Sequence, residues 1–200
     1  MSTSANRVTI KGTAVVIEGN DIDTDRIVPA RFLKEITFEN MGDYLFYDVR
    51  FNEDDTQKSH PLNEPQNQKA AIMIVGKNFG CGSSREHAAQ AILRFGIQAI
   101  IGESFGEIFA GNCKSVGIPV LTSTPETLAS LKKILEEKPS TSVTIDLVDK
   151  TAVLENHSFP ISIVEAWRQA FLNGSWNALA ILKANTDKIK ALDASLRYKF

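Results

Sequence analysis

The order of apolar and polar positions along the chain predicts strands that alternate with helices. Three short, nearly continuous apolar runs predict strands buried on both faces, and they cover residues 70–76, 98–102 and 118–121. After the first run, apolar residues recur at helical spacing beyond Arg85, and Gly96 is placed to end that helix. Strand, helix and strand in alternation predict right-handed parallel crossovers, and therefore an α/β fold.

Patterns on either side of this central part predict further elements. A β-branched, partly alternating stretch at 7–19 predicts a first strand, and residues 103–117 predict a short helix and turn. Residues 124–137 begin with a threonine cap and a proline at the first helical position, which predicts a helix. Residues 142–163 alternate around an Asp-Lys turn and predict a hairpin, and the residues after them predict a helical appendage.

The region between the first two predicted strands has weaker patterns. Residues 20–36 form a polar loop that leads through Pro29 into a short apolar run. Residues 41–51 fit a helix or a strand equally well. Residues 52–69 are polar and contain two prolines, which predicts an exposed and mobile connection.

The composition is that of an ordinary globular protein with one core. The chain has 200 residues, of which 43% are hydrophobic and 23% are charged, and its formal net charge is −2. The lack of a basic excess argues against nucleic acid or an anionic membrane as a partner. No apolar run is long enough to span a bilayer, and the opening residues lack the apolar region of a secretory signal. We therefore expect a cytoplasmic protein.

Cysteine and histidine are too sparse for a self-contained metal centre. The two cysteines, Cys81 and Cys113, argue against a disulfide framework and against a cage of four cysteines. The histidines, His60, His87 and His157, lie far apart and lack the spacing of metal ligands. The sequence predicts that this chain binds no metal and that any metal chemistry takes its ligands from another chain.

Residues 80–88, GCGSSREHA, follow a predicted buried strand and open a predicted helix. Ligands bind at this edge of an α/β sheet, and the N-terminus of a helix favours an anion. Gly80 and Gly82 permit a tight turn close to a ligand, and Arg85 offers a fork for a carboxylate or a phosphate. The same letters fit a structural capping box in which Ser83 is the N-cap and the glutamate three residues later is its partner. An anion site and a plain helix cap stay equally open.

Two neighbouring features also have a functional and a structural interpretation. Asp21, Asp23 and Asp25 resemble the start of a calcium loop, but the glycine and glutamate that such a loop needs are absent, which favours a hydrogen-bonded turn. Cys81 stands beside the helix start, where a thiol is activated, but no base is evident next to it. A small structural residue is therefore the preferred interpretation of Cys81.

Three segments together resemble one family. They are DIDTDRIVPARFLK, NFGCGSSREHA and ESFGEIFAGNCKSVGIPVL, and their order and spacing resemble the small subunits of 3-isopropylmalate dehydratase, the swivel-domain half of the aconitase superfamily. The resemblance runs from about residue 10 to about residue 173. It implies one swivel-type β/β/α domain over 1–165, with a partly parallel sheet flanked by helices, and a helical extension over 166–200.

The resemblance implies an activity and roles for individual residues. The family isomerises 2-isopropylmalate to 3-isopropylmalate by dehydration and rehydration, a step of leucine biosynthesis, and a [4Fe-4S] cluster is carried by a large subunit. By the motif match, Ser83 is the base that takes the carbon-bound proton. The residues implied to bind the substrate's carboxylates are Ser84, Arg85, Thr24 and Asp25, beside the backbone of Gly80 and Gly82. The implied partners are the iron-sulfur large subunit, in a heterodimer or larger complex, and a small dicarboxylate.

The resemblance also implies where the variable group of the substrate is selected, at residues 31–36. Phe32 and Leu33 suit an isopropyl group, whereas Arg31 and Lys34 are of the type that binds a further carboxylate. The residue types leave this choice open.

Two features depart from the family's pattern. Arg26 stands where aconitases often carry histidine, which leaves its role open. Residues 171–200 differ from the tail of the leucine-pathway subunits, which leaves room for a paralogue that acts on a methylmalate or citraconate, a dimethylmalate or a homoaconitate. A non-catalytic anion-binding module is the alternative from another class of protein.

Overall fold

The structure, a computed structural model, describes residues 6–196. Residues 1–5 and 197–200, the outer ends of the predicted domain and extension, lie outside the described residues. The strands are β1 (Thr9–Val16), β2 (Ile72–Ile74), β3 (Ala99–Gly102), β4 (Val120–Thr122), β5 (Ser142–Asp146), β6 (Thr151–Leu154) and β7 (His157–Pro160). The α-helices are α1 (Thr24–Ile27), α2 (Tyr47–Arg50), α3 (Glu86–Phe95), α4 (Glu107–Val116), α5 (Pro125–Glu137), α6 (Glu165–Asn173), α7 (Ala178–Ala184) and α8 (Thr186–Ser195). Short 3-10 helices lie at Ala30–Lys34, Met41–Tyr44, Pro61–Asn63 and Pro65–Asn67.

The described strands form one sheet in the order β4-β3-β2-β1-β5-β6-β7. One half of this sheet is parallel, because β1 pairs with β2, β2 with β3 and β3 with β4. The chain passes from β2 to β3 through α3 and from β3 to β4 through α4. All residues of β2 and β3 are buried, as their unbroken apolar runs predict. The α/β class with a partly parallel sheet is confirmed.

The other half of the sheet is antiparallel. β5 pairs with β1, β6 with β5 and β7 with β6. The predicted hairpin is confirmed for β5 and β6, but β7 adds a strand that the sequence pattern did not reveal. Three of the four residues of β7 are exposed, so its sequence, HSFP, shows no apolar alternation.

Two hydrophobic layers enclose the sheet, one on each face. Along β2, Ile72 and Ile74 belong to one layer and Met73 to the other, since successive side chains of a strand point to opposite faces. Helices α3 and α4 complete the layer that contains Met73, whereas α5 and α6 complete the opposite one. Burial of each such side chain contributes about 1.5–3 kcal/mol, so the layers fix the ends of the strands relative to one another.

The segment from residue 41 to residue 69 is more ordered than its polar sequence suggests. The ambiguous stretch 41–51 forms a 3-10 helix followed by α2. The prediction of a wholly exposed connection at 52–69 is wrong for its second half, because Leu62 is fully buried and Asn67 is 8% exposed. A single buried leucine between two proline turns produces no periodic signal, which is why the pattern missed it.

The C-terminal helices differ in how they contact the core. In α6, Phe171 is fully buried, and its carbonyl accepts a hydrogen bond from the backbone N–H of Arg7 at 2.8 Å. In α7 and α8 no residue is buried. The division of the chain at residue 165 stays a prediction.

Within residues 6–196, no helix has the length and apolarity that a membrane span requires.

A histidine in this region makes stability depend on pH. The His60 ring lies against Phe46, and its Nδ1 accepts a hydrogen bond from the backbone N–H of Leu62 at 3.1 Å. Burial, with the positive charges of Arg50 and Arg26, lowers the pKa of His60 to about 4. Between the ordinary histidine pKa of about 6.5 and this value, the unfolded chain binds a proton that the folded chain does not. Stability is therefore complete above about pH 6.5 and falls as the pH drops towards 4.

We predict that His60→Asn removes much of this loss. The asparagine oxygen replaces Nδ1 as the acceptor for Leu62 and does not titrate. Urea unfolding at about pH 7 and about pH 4.5 measures the effect, and the free energy of unfolding should fall less in the variant than in the wild type. An equal fall in both proteins would show that His60 is not the responsible group.

Candidate active site

The candidate site lies where the loops after two adjacent parallel strands meet. The loop after β1 and the loop after β2 are joined by three backbone hydrogen bonds, one of which runs from Asp21 N–H to the carbonyl of Lys77 at 2.9 Å. Gly80 N–H donates to the carbonyl of Ile22 at 2.7 Å, and Thr24 N–H donates to the carbonyl of Cys81 at 2.9 Å. Because the carboxyl ends of parallel strands share one edge of a sheet, residues 56 to 58 positions apart in the chain become neighbours.

A third loop, after β3, closes the same edge. Phe79 N–H donates to the carbonyl of Ser104 at 3.0 Å, and Gly106 N–H donates to the carbonyl of Phe79 at 2.9 Å. Helix α4 begins directly after Gly106, so its N-terminus faces the glycine turn of the second loop. The motif SFGEIF thus contributes to the site through its backbone, a role that its sequence did not assign.

The glycine turn has the tight geometry that its sequence predicts. Gly80 and Gly82 have φ angles of +75° and +90°, in the left-handed region that favours glycine. A Cβ atom on Gly80 would lie 2.2 Å from Cγ of Phe109, so the turn also needs the absence of a side chain there. Their assigned role beside a bound anion stays a prediction.

Ser83 and Ser84 present free side chains at the end of this turn. Both residues are exposed, and neither hydroxyl makes a hydrogen bond to a residue between 6 and 196. The Ser83 carbonyl accepts a hydrogen bond at 3.0 Å from Oγ1 of Thr24, which is 1% exposed. In this arrangement Thr24 holds the backbone of Ser83, and its predicted contact with substrate stays untested.

The capping box proposed from the sequence is wrong. Helix α3 begins at Glu86, its N-cap is Arg85, and no side chain caps it. Arg85 has extended backbone angles, φ −125° and ψ 109°, so the helix starts later than the serine pair. The structural role that competed with a chemical role for Ser83 is therefore absent.

Arg85 and Asp25 form an ion pair across the two loops. The Arg85 side chain is 17% exposed and that of Asp25 is 53% exposed, so the pair lies at the rim of the site. Its guanidinium stands at the N-terminal end of α3, where the helix dipole adds positive potential. A carboxylate that approaches this corner meets a charge-assisted donor that is already oriented.

The other aspartates of the first loop have structural partners. Asp23 caps α1 by accepting a hydrogen bond from Arg26 N–H at 2.7 Å, and Asp21 accepts one from Nδ2 of Asn78 at 2.8 Å. The turn interpretation is confirmed. Over residues 6–196, no group of three or more histidine, cysteine, aspartate or glutamate side chains is arranged to hold a metal ion. The described part of this chain therefore does not fit an iron-sulfur cluster.

The predicted specificity residues lie on a 3-10 helix whose arginine is already engaged. Arg31 forms a two-bond ion pair with Asp48 and lies over the rings of Phe32 and Tyr47, 4.6 Å and 5.5 Å from their centroids. The hydrogen bond from Arg31 lowers the pKa of Asp48. Sequence reasoning missed Asp48, because it is 17 positions away in a segment without a clear pattern.

The remaining residues of that segment have different surroundings. Phe32 stacks on Tyr44 with centroids 4.0 Å apart, which leaves it half-buried, and Leu33 is also half-buried. Lys34 is exposed and forms no ion pair with a described residue. Arg31 and Phe32 line a cavity of about 620 Å³ whose walls do not include the serine pair. Arg31 and Ser83 line different cavities, and no hydrogen bond joins these two residues.

The structure also shows where three residues lie whose roles the sequence left open. Cys81 is half-buried, and its backbone carbonyl accepts the hydrogen bond from Thr24 N–H that joins the two loops. The His87 ring packs edge-on against Phe38, with centroids 5.2 Å apart. Arg26 lines a cavity of about 200 Å³ away from the glycine turn. None of the three positions indicates a catalytic role.

Comparison with known proteins identifies the family. The Aconitase C-terminal domain family matches residues 5–125. A 3-isopropylmalate dehydratase small subunit of Thermus thermophilus is 48% identical over 189 residues, 94% of each chain, and one of Synechocystis is 42% identical over 94% of this chain and 93% of its own. The chain belongs to the family of 3-isopropylmalate dehydratase small subunits. The resemblance drawn from the three sequence segments is thereby confirmed.

A solved structure of the family has the same fold. The crystal structure of 3-isopropylmalate dehydratase from Methanocaldococcus jannaschii superposes with a TM-score of 0.68 at 25% identity, over 92% of this chain and 98% of that one. The swivel-type architecture predicted from the resemblance is confirmed. The alignment with the Thermus relative covers 189 of the 200 residues, so at least part of residues 171–200 has a counterpart in a 3-isopropylmalate dehydratase small subunit.

Proposed function

We propose that this chain is the small subunit of a hydro-lyase that isomerises 2-isopropylmalate to 3-isopropylmalate in leucine biosynthesis, active only with its large subunit. The relatives' names support the substrate. One structural observation carries the proposal: the hydroxyls of Ser83 and Ser84 are exposed and unbonded beside the Arg85–Asp25 pair. A serine pair kept free next to an oriented guanidinium suits proton transfer on a carboxylate substrate.

In this proposal Ser83 acts as the base of the dehydration. Its Oγ takes the carbon-bound proton while hydroxide leaves the neighbouring carbon, so that a double bond forms between the two carbons. The proton held by Ser83 and the departed hydroxide together amount to one molecule of water. Arg85 and the N-terminus of α3 place positive charge beside that oxygen and stabilise the charged form that accepts the proton. The reverse addition of water, with hydroxyl and proton exchanged between the two carbons, gives the isomer.

Substrate positioning falls to the groups around Ser83. Arg85 and Ser84 bind a carboxylate, Asp25 fixes the Arg85 guanidinium, and Thr24 fixes the Ser83 backbone. The small cavity beside the glycine turn, about 220 Å³, is open to solvent on this chain. Because this site faces water on one side, a second surface is needed to exclude that water during the reaction.

The second surface is proposed to be an iron-sulfur large subunit, in a heterodimer or a larger complex in the cytoplasm. Relatives are named small subunits, which supports a partner. The described residues include no ligand set for a metal. A [4Fe-4S] cluster on the partner would supply the Lewis acid that polarises the substrate hydroxyl.

The surroundings of Arg31 favour an apolar substituent on the substrate. The Arg31 charge is matched by Asp48. Lys34 has no ion pair with a described residue, but it is exposed on a flexible stem and is not held towards a third carboxylate. Phe32 and Leu33 remain as the partly buried apolar residues of the segment. This observation favours isopropylmalate, or a methylmalate or dimethylmalate as the alternative, over a homoaconitate.

A substrate panel tests this assignment. The chain is coexpressed with an iron-sulfur large subunit, and kcat/KM is measured for 2-isopropylmalate, a methyl-substituted malate and a homoaconitate-type tricarboxylate. We expect isopropylmalate to have the highest kcat/KM and the tricarboxylate the lowest. A complex that prefers another substituted malate would make this chain a paralogous subunit, and a complex inactive on the whole panel would leave only a binding module.

We also predict that Asp25→Asn weakens substrate binding with little effect on folding. The ion pair lies at the rim, where such pairs contribute at most about 1 kcal/mol to stability. Without it the Arg85 guanidinium loses its fixed orientation, and KM should rise several-fold while kcat changes less. Glu155→Gln, which removes the carboxylate of another surface ion pair, with Lys138, away from this cavity, serves as the control. An unchanged KM in Asp25→Asn would contradict the positioning role.

A further inference from the structure

A second charged cavity lies at the opposite end of α3 from Arg85. It has a volume of about 460 Å³ and is bounded by the C-terminal residues of α3 and by the 3-10 helix Met41–Tyr44. Because α3 has ten residues and rises about 1.5 Å per residue, the two ends are about 15 Å apart. The cavity is therefore separate from the candidate active site.

A buried arginine forms the inner wall of this cavity. Arg50 is 8% exposed, and its guanidinium lies over the rings of Phe51 and Phe95, 4.9 Å and 5.4 Å from their centroids. Nε donates to Oδ1 of Asn63 at 2.9 Å, and Nη1 donates to the carbonyl of Leu45 at 3.0 Å. Two rings and two neutral acceptors thus hold the group in one orientation.

The charge of Arg50 has no direct counter-ion among residues 6–196. No described carboxylate lies within salt-bridge distance of it, and no described residue accepts a hydrogen bond from Nη2. Nη2 therefore lacks a partner among the described residues, but it is not fully buried and stays accessible from the cavity side. Burial lowers the pKa of Arg50, and the negative charge of Asp43 partly offsets this effect. A buried cation with an open donor favours an anionic ligand.

The rim of the cavity carries both signs of charge. Arg94 faces it from the last turn of α3, and Glu39 and Asp43 face it from the other side. These three residues are exposed, and none forms an ion pair with another described residue. A simple anion would be attracted by the two arginines and repelled by the two carboxylates. A ligand that carries both charges avoids that conflict.

We propose that this cavity binds a free α-amino acid, with its carboxylate on Arg50 and Arg94 and its ammonium group towards Glu39 and Asp43. Phe95 offers an apolar surface to the ligand's side chain. Phe95 is the single apolar side chain among the residues that line the cavity, so recognition of the ligand rests on the charged groups. The site is independent of the proposed dehydratase activity, so either assignment can fail without the other.

Isothermal titration of the full-length chain with a panel of neutral L-amino acids tests the proposal. For each amino acid that binds, the deaminated acid and the decarboxylated amine are titrated as matched probes. We expect at least one amino acid to bind and both of its probes to bind at least tenfold more weakly. Absence of binding across the panel, or equal binding of the deaminated acid, would overturn the proposal.

Variants locate the ligand. Arg94→Gln should weaken binding of the amino acid at least tenfold. Because Arg94 is exposed, its loss should leave the fold intact. Asp43→Asn should reduce the preference for the amino acid over its deaminated analogue. Lys133→Gln, which removes an exposed positive charge from α5, is the control and should change nothing. Unchanged binding in Arg94→Gln would place the ligand elsewhere and contradict the assignment.

Discussion

Ser83→Ala should lower kcat of the assembled dehydratase by about 10²- to 10⁴-fold, the usual contribution of a general base. The loss should fall on kcat more than on KM, because the proton transfer occurs in the transition state and Arg85 still binds the carboxylate. Folding should be unaffected, since the Ser83 hydroxyl is exposed and bonds to no described residue. Steady-state kinetics of the complex, with a urea unfolding curve of the subunit, measures both quantities.

The control for this variant is Ser158→Ala. Ser158 is also an exposed serine, but it lies on β7, at the far edge of the sheet from β2. The Ser158→Ala variant should therefore leave kcat, KM and the free energy of unfolding unchanged. If Ser83→Ala retained more than about a tenth of the wild-type kcat, its loss would be smaller than that of a base, and the role would pass to another group.

Gly80→Ala should have the largest effect on stability, reducing the free energy of unfolding by about 2–5 kcal/mol. Two causes add: a φ of +75° is strained for alanine by about 1–2 kcal/mol, and the new Cβ would lie 2.2 Å from the Phe109 ring, an overpacking that costs about 1–3 kcal/mol. Relief of the clash would displace the turn that carries Ser83, so turnover should fall as well. Urea unfolding and kinetics of the complex measure the two effects.

Gly96→Ala separates the two causes. Gly96 also has a positive φ, +116°, but a Cβ atom there meets nothing within 4 Å. This variant should lose only the conformational part, about 1–2 kcal/mol, and should keep its turnover. Equal destabilisation by both substitutions would show that contact with Phe109 is not what fixes the glycine turn.

The elements that the sequence predicted well are those whose own residues determine them. β2 and β3 are unbroken apolar runs that become central buried strands, and α5 has its cap, its proline and its apolar spacing within one segment. Thr124 accepts the expected hydrogen bond from Thr127 N–H at 3.3 Å. β7 was missed because it depends on pairing with β6 rather than on a pattern of its own.

The candidate site also has features that follow from local sequence and features that depend on contacts between distant segments. The glycine turn and the helix after it could be predicted from residues 80–96, because a positive φ and helical spacing are local properties. The ion pairs could not be predicted, since Asp25 meets Arg85 and Asp48 meets Arg31 only after the chain has folded. The cap assigned to Ser83 failed for the same reason: Thr24 fixes the Ser83 backbone from another loop, and the helix begins later.

The central claim is that this chain holds one half of an active site, and a mixing experiment tests it most directly. The purified chain is titrated into a fixed amount of a separately purified iron-sulfur large subunit, and dehydration of 2-isopropylmalate is followed by the absorbance of the unsaturated product. We predict no turnover by either protein alone, and a rate that rises with added chain until it saturates at a fixed ratio. Turnover by the large subunit alone that equals that of the mixture would contradict the claim.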